Sequence, residues 1–266
     1  MRELFLWLIP VAALGVLFFL YFRSVEKSDP PAPEEIAAPA PTAEPAVRYP
    51  IETDDQPGPP LPALGESDGT LNDALLALFD QKPPKFLQLK NIVHRIVATV
   101  DNLPRDHLAT RLLPVKTITG VPVTENVGGS LAFSPRNAAR YDAYVRVADT
   151  VPTDALVTLY TRFYPLFQQQ YEKLGYPDRY FNDRVVDVID HLLATPEVRE
   201  PVLLAQPRVL YEFADPKLEA LSAGQKILLR VGKENRKKLK SKLQALRQRL
   251  ASMPNPNNSM PNSNKQ

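Results

Sequence analysis

Histidines stand only at positions 94, 107 and 191, and none lies in the HExxH spacing that sets two metal ligands on one helix face. His191 follows Asp187 by four residues, so the two can meet along a helix. Solvent pairing or a hydrogen bond at a core edge explains that spacing better than zinc does. The chain has no cysteine, which excludes disulfides, thiolate metal sites and cysteine nucleophiles. The glycine-containing VGGSLAF stretch, Val127–Phe133, lacks the GxxxxGK[ST] pattern that cradles phosphate. Neither GxGxxG nor a GxSxG elbow occurs, and Ser130 beside Gly128 and Gly129 reads as a turn residue. An acid–base pair for glycoside cleavage needs a set separation across a cleft, which no local pattern supplies. The sequence therefore assigns no catalytic residue, no cofactor and no metal ligand, and favours a non-enzymatic role.

Two concentrations of side chains stand out instead. Tyr160, Phe163, Tyr164, Phe167, Tyr171, Tyr176, Tyr180 and Phe181 place eight aromatics within 22 residues. Helical spacing gathers positions 160, 163, 164, 167 and 171 on one face. The plain reading is a core seam whose tyrosine hydroxyls reach the edge. The functional alternative is a groove for a peptide or glycan built from Tyr160, Tyr164, Tyr171 and Tyr176, with Arg162, Arg179 and Arg184 at its rim. The second concentration is charge: Lys226–Arg249 holds ten Lys/Arg against one Glu, whereas Leu64–Gln225 has 17 basic and 20 acidic residues. A solvated helix face accounts for it. Anionic lipid is the functional alternative, through Lys233, Arg236, Lys237, Lys240, Lys242 and Arg247. Nucleic acid ranks lower, because no aromatic stacking pattern accompanies these bases.

These side chains need a scaffold, and the scaffold reads as mainly α. Helices are expected after Thr70, over Lys85–Val100, after Ser134–Pro135, from Thr153 to Leu174 with a kink at Pro165, and after Asn182 or Asp183. Leu218–Val231 and Glu234–Leu250 form a final pair joined at Gly232. Leu239, Leu243, Leu246 and Leu250 line one face of the last helix. Between Pro114 and Ser134, β-branched residues interrupted by Gly120, Gly128 and Gly129 suggest an ordered loop or small hairpin.

Ahead of the scaffold, residues Leu4–Phe22 are uncharged over 19 positions, about 28 Å of helix at ~1.5 Å per residue. That length predicts a single-pass transmembrane signal anchor rather than a cleaved signal peptide. The stretch Ser28–Ala63 carries eleven prolines, seven acids and one base, and reads as an extended spacer. The expected organisation is an N-terminal flank (1–3), an anchor (4–22), a Pro-rich acidic linker (23–63), a compact multi-helix domain (64–250) and a disordered tail (251–266). Lys/Arg flanks around the span are nearly balanced, but the spacer favours a periplasmic domain on the bacterial inner membrane.

The strings NIVHRIVATVDNLPR (Asn91–Arg105), FYPLFQQQYEKLGYPDRYFNDRVVDVIDHLLATPEV (Phe163–Val198) and VLYEFADPKLEALSAGQKILLRVG (Val209–Gly232), with the basic helix after them, resemble the bacterial domain-of-unknown-function family 3014. The resemblance covers nearly all of Leu61–Leu250. It implies a membrane-anchored protein and brings no activity or catalytic residue. Together these observations predict a membrane-tethered interaction or envelope-maintenance module whose partner is an envelope protein, peptide or glycan. Its rivals are an envelope enzyme acting on a cell-wall or glycan substrate and a cytoplasm-facing nucleic-acid binder.

Overall fold

Helix α1 (Ser67–Leu78) opens the fold and buries Leu71 completely. The computed structural model describes residues 47–52, 59–79 and 83–253, all within one compact unit, Pro45–Gln266. Asp68 on α1 does more than decorate its first turn. Its carboxylate accepts the N–H groups of Asn91 at 2.6 Å and Ile92 at 3.1 Å, so one helix supplies the start of the next. That next helix, α2, runs Ile92–Asn102 rather than from Lys85. The residues ahead of it pair in extended form instead. Lys116 donates to the Phe86 carbonyl at 2.7 Å and Gln88 to the Pro114 carbonyl at 2.8 Å.

Two β ribbons follow. Strands β1 (Thr124–Val127) and β2 (Ser130–Phe133) form an antiparallel hairpin in which Val127 faces Ser130. The two turn residues, Gly128 and Gly129, have φ of 58° and 83°, the left-handed pair that a two-residue hairpin turn requires. A 3-10 segment, Pro135–Tyr141, leads into α3 (Asp142–Thr150). Helix α4 then extends unbroken through Thr153–Lys173 with Pro165 inside it. Helix α5 covers Phe181–Leu193.

The punctuated stretch after α5 forms β3 (Leu204–Ala205) and β4 (Glu212–Phe213), paired antiparallel. A bridge between Ala132 and Leu203, with Phe133 donating to the Val202 carbonyl at 3.1 Å, stitches this ribbon to the first. The helix expected over Leu218–Val231 is divided. Helix α6 (Pro216–Glu219) and α7 (Ala223–Arg230) are separated at Ser222, whose hydroxyl and Gln225 form a reciprocal capping box. Helix α8 (Lys233–Ala251) closes the domain.

Helix α4 packs on α2, α5 and α8, and α5 packs on α2 and α8, with α1 against α2 and α4 and α3 against α8. Phe163, Tyr164, Phe167 and Tyr171 of α4 meet Val93 and Val97 of α2 and Phe181 of α5 in the largest apolar cluster. Val186 and Ile189 of α5 pack with Leu250 of α8 in a second. A third joins the ribbons to α7 through Val202, Leu204, Phe213 and Leu229.

The expected membrane span at Leu4–Phe22 lies outside the described residues. Among the described residues no helix is long and apolar enough to cross a membrane. The longest, α4, carries Asp154, Arg162, Glu172 and Lys173 along its 21 residues, and α8 is strongly basic. The single-pass transmembrane fold class, the signal anchor, the membrane-tethered function, bilayer contact through Leu4–Phe22 and the inner-membrane, periplasmic placement are therefore corrected: no described helix supports them. The finding that stands is a mainly helical domain with two short β ribbons.

Candidate functional site

The aromatic band is interior. Tyr164 and Tyr171 are buried among the α2, α4 and α5 side chains. Burial, with neighbouring Tyr160 and Tyr180, pushes the Tyr164 hydroxyl far above its ordinary pKa. That hydroxyl donates to Gln168 Oε1 at 3.0 Å, and the Tyr160 hydroxyl donates to Asn182 Oδ1 at 3.2 Å. Tyr171 stacks on Tyr176 with centroids 4.6 Å apart. The proposed rim arginines divide. Arg184 turns inward, its Nε 3.1 Å from Asp101 Oδ1 and its Nη2 2.8 Å from the Asp101 carbonyl. Arg162 donates to the Pro59 carbonyl, and Arg179 stays exposed.

The basic helix is likewise largely engaged. Arg236 is only 1% exposed and lies 3.4 Å from Glu197. Lys240 holds Glu197 at 3.0 Å and the Thr195 carbonyl at 2.7 Å. Lys242 donates to the Val151 carbonyl and Arg247 to Asp190. Lys233 and Lys237 are the members of the expected set that stay exposed without a partner among the described residues.

His191 Nε2 lies 2.8 Å from the Ser222 hydroxyl, and the distance alone would suit a base beside a nucleophile. Ser222 is buried, however, and its oxygen already accepts from the Gln225 N–H as the cap of α7. Burial, helped by Arg184, lowers the His191 pKa below 6.5. Its unfolded form takes up a proton near pH 6.5 while the folded form resists it until lower pH. Stability from this group is thus complete above pH ~6.5 and falls as pH drops through the folded pKa. Urea titrations at pH 7.5 and 5.5 (approximate choices bracketing the imidazole range) should show a smaller acid loss for His191→Gln than for the parent chain.

A cleft opens where the first hairpin, the 3-10 segment, the Glu200–Val202 loop and the α7–α8 turn converge, with a volume of about 760 Å³. Each wall has a local cause. Asn137, 1% exposed, accepts from the Val123 N–H at 3.0 Å and donates to the Arg230 carbonyl at 3.2 Å, tying hairpin to turn. Asn235 donates to the Ala138 carbonyl at 3.2 Å and to Asp142 Oδ1 at 3.0 Å, tying α8 to α3. Between them Gly232 sits at φ 85° and ψ 162°, a region that essentially only glycine occupies. A Cβ there would meet the Ala138 Cβ at 2.8 Å, so the close approach of α8 to the 3-10 segment also requires glycine.

The cleft's apolar surface comes from Val127, Phe133, Pro201, Val202 and Leu229. Its charged lining includes Asp142, held by Asn235, and Glu125, Glu200, Lys233 and Glu234, and none of these last four has an ion pair or side-chain hydrogen bond among the described residues. Arg230 also lines it and lies over the Phe213 ring, 5.3 Å from its centroid. Its far side lines a neighbouring hollow of about 310 Å³ that includes exposed Val121, Val209 and Leu210. Sequence reasoning found Lys233 but missed the cleft. Gly232 between two helices was the available signal, and it spoke only for a joint.

The chain matches the family model described as "Protein of unknown function (DUF3014)" over residues 92–247. Comparison with curated proteins and with solved structures finds no match. The matched span takes in α2 through most of α8, including the hairpin, both asparagine ties and the Gly232 turn that build the cleft. A match over more than half the sequence settles the assignment: this chain belongs to the DUF3014 family.

Proposed function

We propose that the domain is a binding module whose ligand site is the cleft between the first hairpin and the α7–α8 turn. The observation that carries the reading is the convergence of free acids and a free lysine on one cleft of about 760 Å³ with an apolar floor. A volume in the range ~300–1,000 Å³ suits a small organic ligand or a few peptide residues. Separate charges of both signs around an apolar floor suit a short zwitterionic ligand, such as a peptide with free termini. Its ammonium group would face Glu125 or Glu200, and its carboxylate would face Lys233 or Arg230.

Charge reversal tests the reading. Lys233→Glu and Glu200→Lys, each on an exposed side chain, should leave the melting temperature nearly unchanged, within about 0.5 kcal/mol of stability. Each should weaken calorimetric binding of a free-termini tetrapeptide library at least about ten-fold, the effect of one charge-assisted contact. Equal binding by parent and variants would count against the cleft.

A further inference from the structure

A stretch that composition assigns to the spacer is seated in the fold. Residues Arg48–Ile51, Arg-Tyr-Pro-Ile, lie along the start of α5, and their main chain is read by α5 side chains and the residue before it. Asp183 accepts the Arg48 N–H at 3.0 Å on Oδ2 and the Tyr49 N–H at 2.8 Å on Oδ1. Asn182, fully buried, donates Nδ2 to the Tyr49 carbonyl at 2.8 Å. The Tyr180 hydroxyl accepts the Ile51 N–H at 2.7 Å. Pro50 has no N–H to satisfy, so no donor in the segment is wasted at that position.

The side chains are matched as well. The Arg48 guanidinium meets Asp187 at 2.7 Å, with Asp183 beside it. Tyr49 packs into the cluster of Val186, Ile189, Leu246 and Leu250. Ile51 is buried in the main core cluster. The binding partners lie 129 or more positions away in the chain, so this is a tertiary docking event and not a local turn.

A groove that binds an extended segment through its main-chain N–H and C=O groups, with an acidic socket and apolar pockets for alternate side chains, has the features of a peptide-recognition site. We infer that the α5 groove is such a site, occupied by the chain's own Arg48–Ile51, and that it takes an extended partner segment of the same pattern: a cation, an aromatic, a proline and a β-branched aliphatic. Charge complementarity with Asp183 and Asp187 fixes the cation at the first position. The chain's own segment acts as a tethered competitor, so the partner engages by displacing it. This surface is separate from the cleft, and either can fail without the other.

The test uses the full chain with a site-specific protease sequence substituted at residues 53–58, cut after folding. A fluorescent Pro-Ala-Val-Arg-Tyr-Pro-Ile-Glu peptide is then titrated by anisotropy while far-UV circular dichroism reports the fold. The expected result is saturable binding below about 1 mM, the effective concentration of a short tether. Arg48→Ala in the peptide or Asp183→Ala in the protein should weaken it by about ten-fold or more. The uncut chain carrying Arg48→Ala, whose own segment is weakened, should bind the same peptide more tightly than the uncut parent, and this keeps the test valid if cutting perturbs folding. Absence of saturation in both formats, with the helical signal intact, would overturn the inference. So would a stable dimer formed by exchange of this segment, since the occupant would then be a second copy.

Discussion

Phe181→Ala should lower stability by about 3–5 kcal/mol, the usual loss for truncating a buried aromatic ring. Phe181 has no exposed surface and sits at the first turn of α5, with its ring 5.3 Å from Tyr171 and 6.2 Å from Phe167. Its ring fills the seam between α4 and α5, and its N–H donates to Gln168 Oε1 at 2.7 Å. For a domain of this size the expected fall in melting temperature is roughly 6–20 °C. Thermal melts followed by circular dichroism measure it. Phe181→Leu, which keeps most of the volume, should recover the larger part. A loss below about 1 kcal/mol for the alanine variant would mean that the aromatic band is not the core.

Asp101→Ala should have the next largest effect, about 2–4 kcal/mol. Asp101 is 4% exposed and collects Arg105 at 2.6 Å, Arg184 at 3.1 Å and the Tyr176 hydroxyl at 3.3 Å. It thereby ties the end of α2 to α5 and to the loop after α4. Removing the carboxylate strands Arg184, whose side chain is 29% exposed, more severely than Arg105 at 54%. The predicted loss stays below that of a fully enclosed pair because Arg105 retains water. Urea denaturation should place Arg184→Ala between Asp101→Ala and Arg105→Ala. The result also bears on function. The alternative groove reading of the sequence placed Tyr176 in the groove and Arg184 at its rim, and unaltered stability on losing Asp101 would return them to those roles.

The parts of the fold that periodicity could read were those whose pattern repeats within a single element. Val93 and Val97, and Val186 and Ile189, repeat at helical spacing and do face the core. The stretch around Gly128 and Gly129 read as an ordered loop or a small hairpin, and the structure resolves it as a hairpin with both glycines at left-handed φ. The start of α2 was misplaced because its acceptor, Asp68, lies 23 and 24 residues upstream of the N–H groups it holds. The docking of Arg48–Ile51 was invisible for a related reason. Proline content predicts an extended backbone, but an extended backbone carries no mark of what it lies against.

The basic face of α8 shows the limit of counting charge. Composition gives its sign, whereas only the fold shows that Glu197, Asp190 and the Thr195 and Val151 carbonyls take up Arg236, Lys240, Lys242 and Arg247. The cleft was beyond reach because its walls come from separated segments held by two asparagines of ordinary local context.

The central claim is that this cleft binds a ligand, and the most direct measurement maps where a ligand touches the full chain. Backbone amide spectra of the ¹⁵N-labelled protein should be recorded with free-termini tetrapeptides, and again with the same peptides acetylated and amidated. The free peptides should shift the amides of Glu125, Val127, Gly232, Lys233 and Asn235, and capping both ends should abolish those shifts. Shifts confined to other surfaces, or none at about millimolar peptide, would contradict the claim.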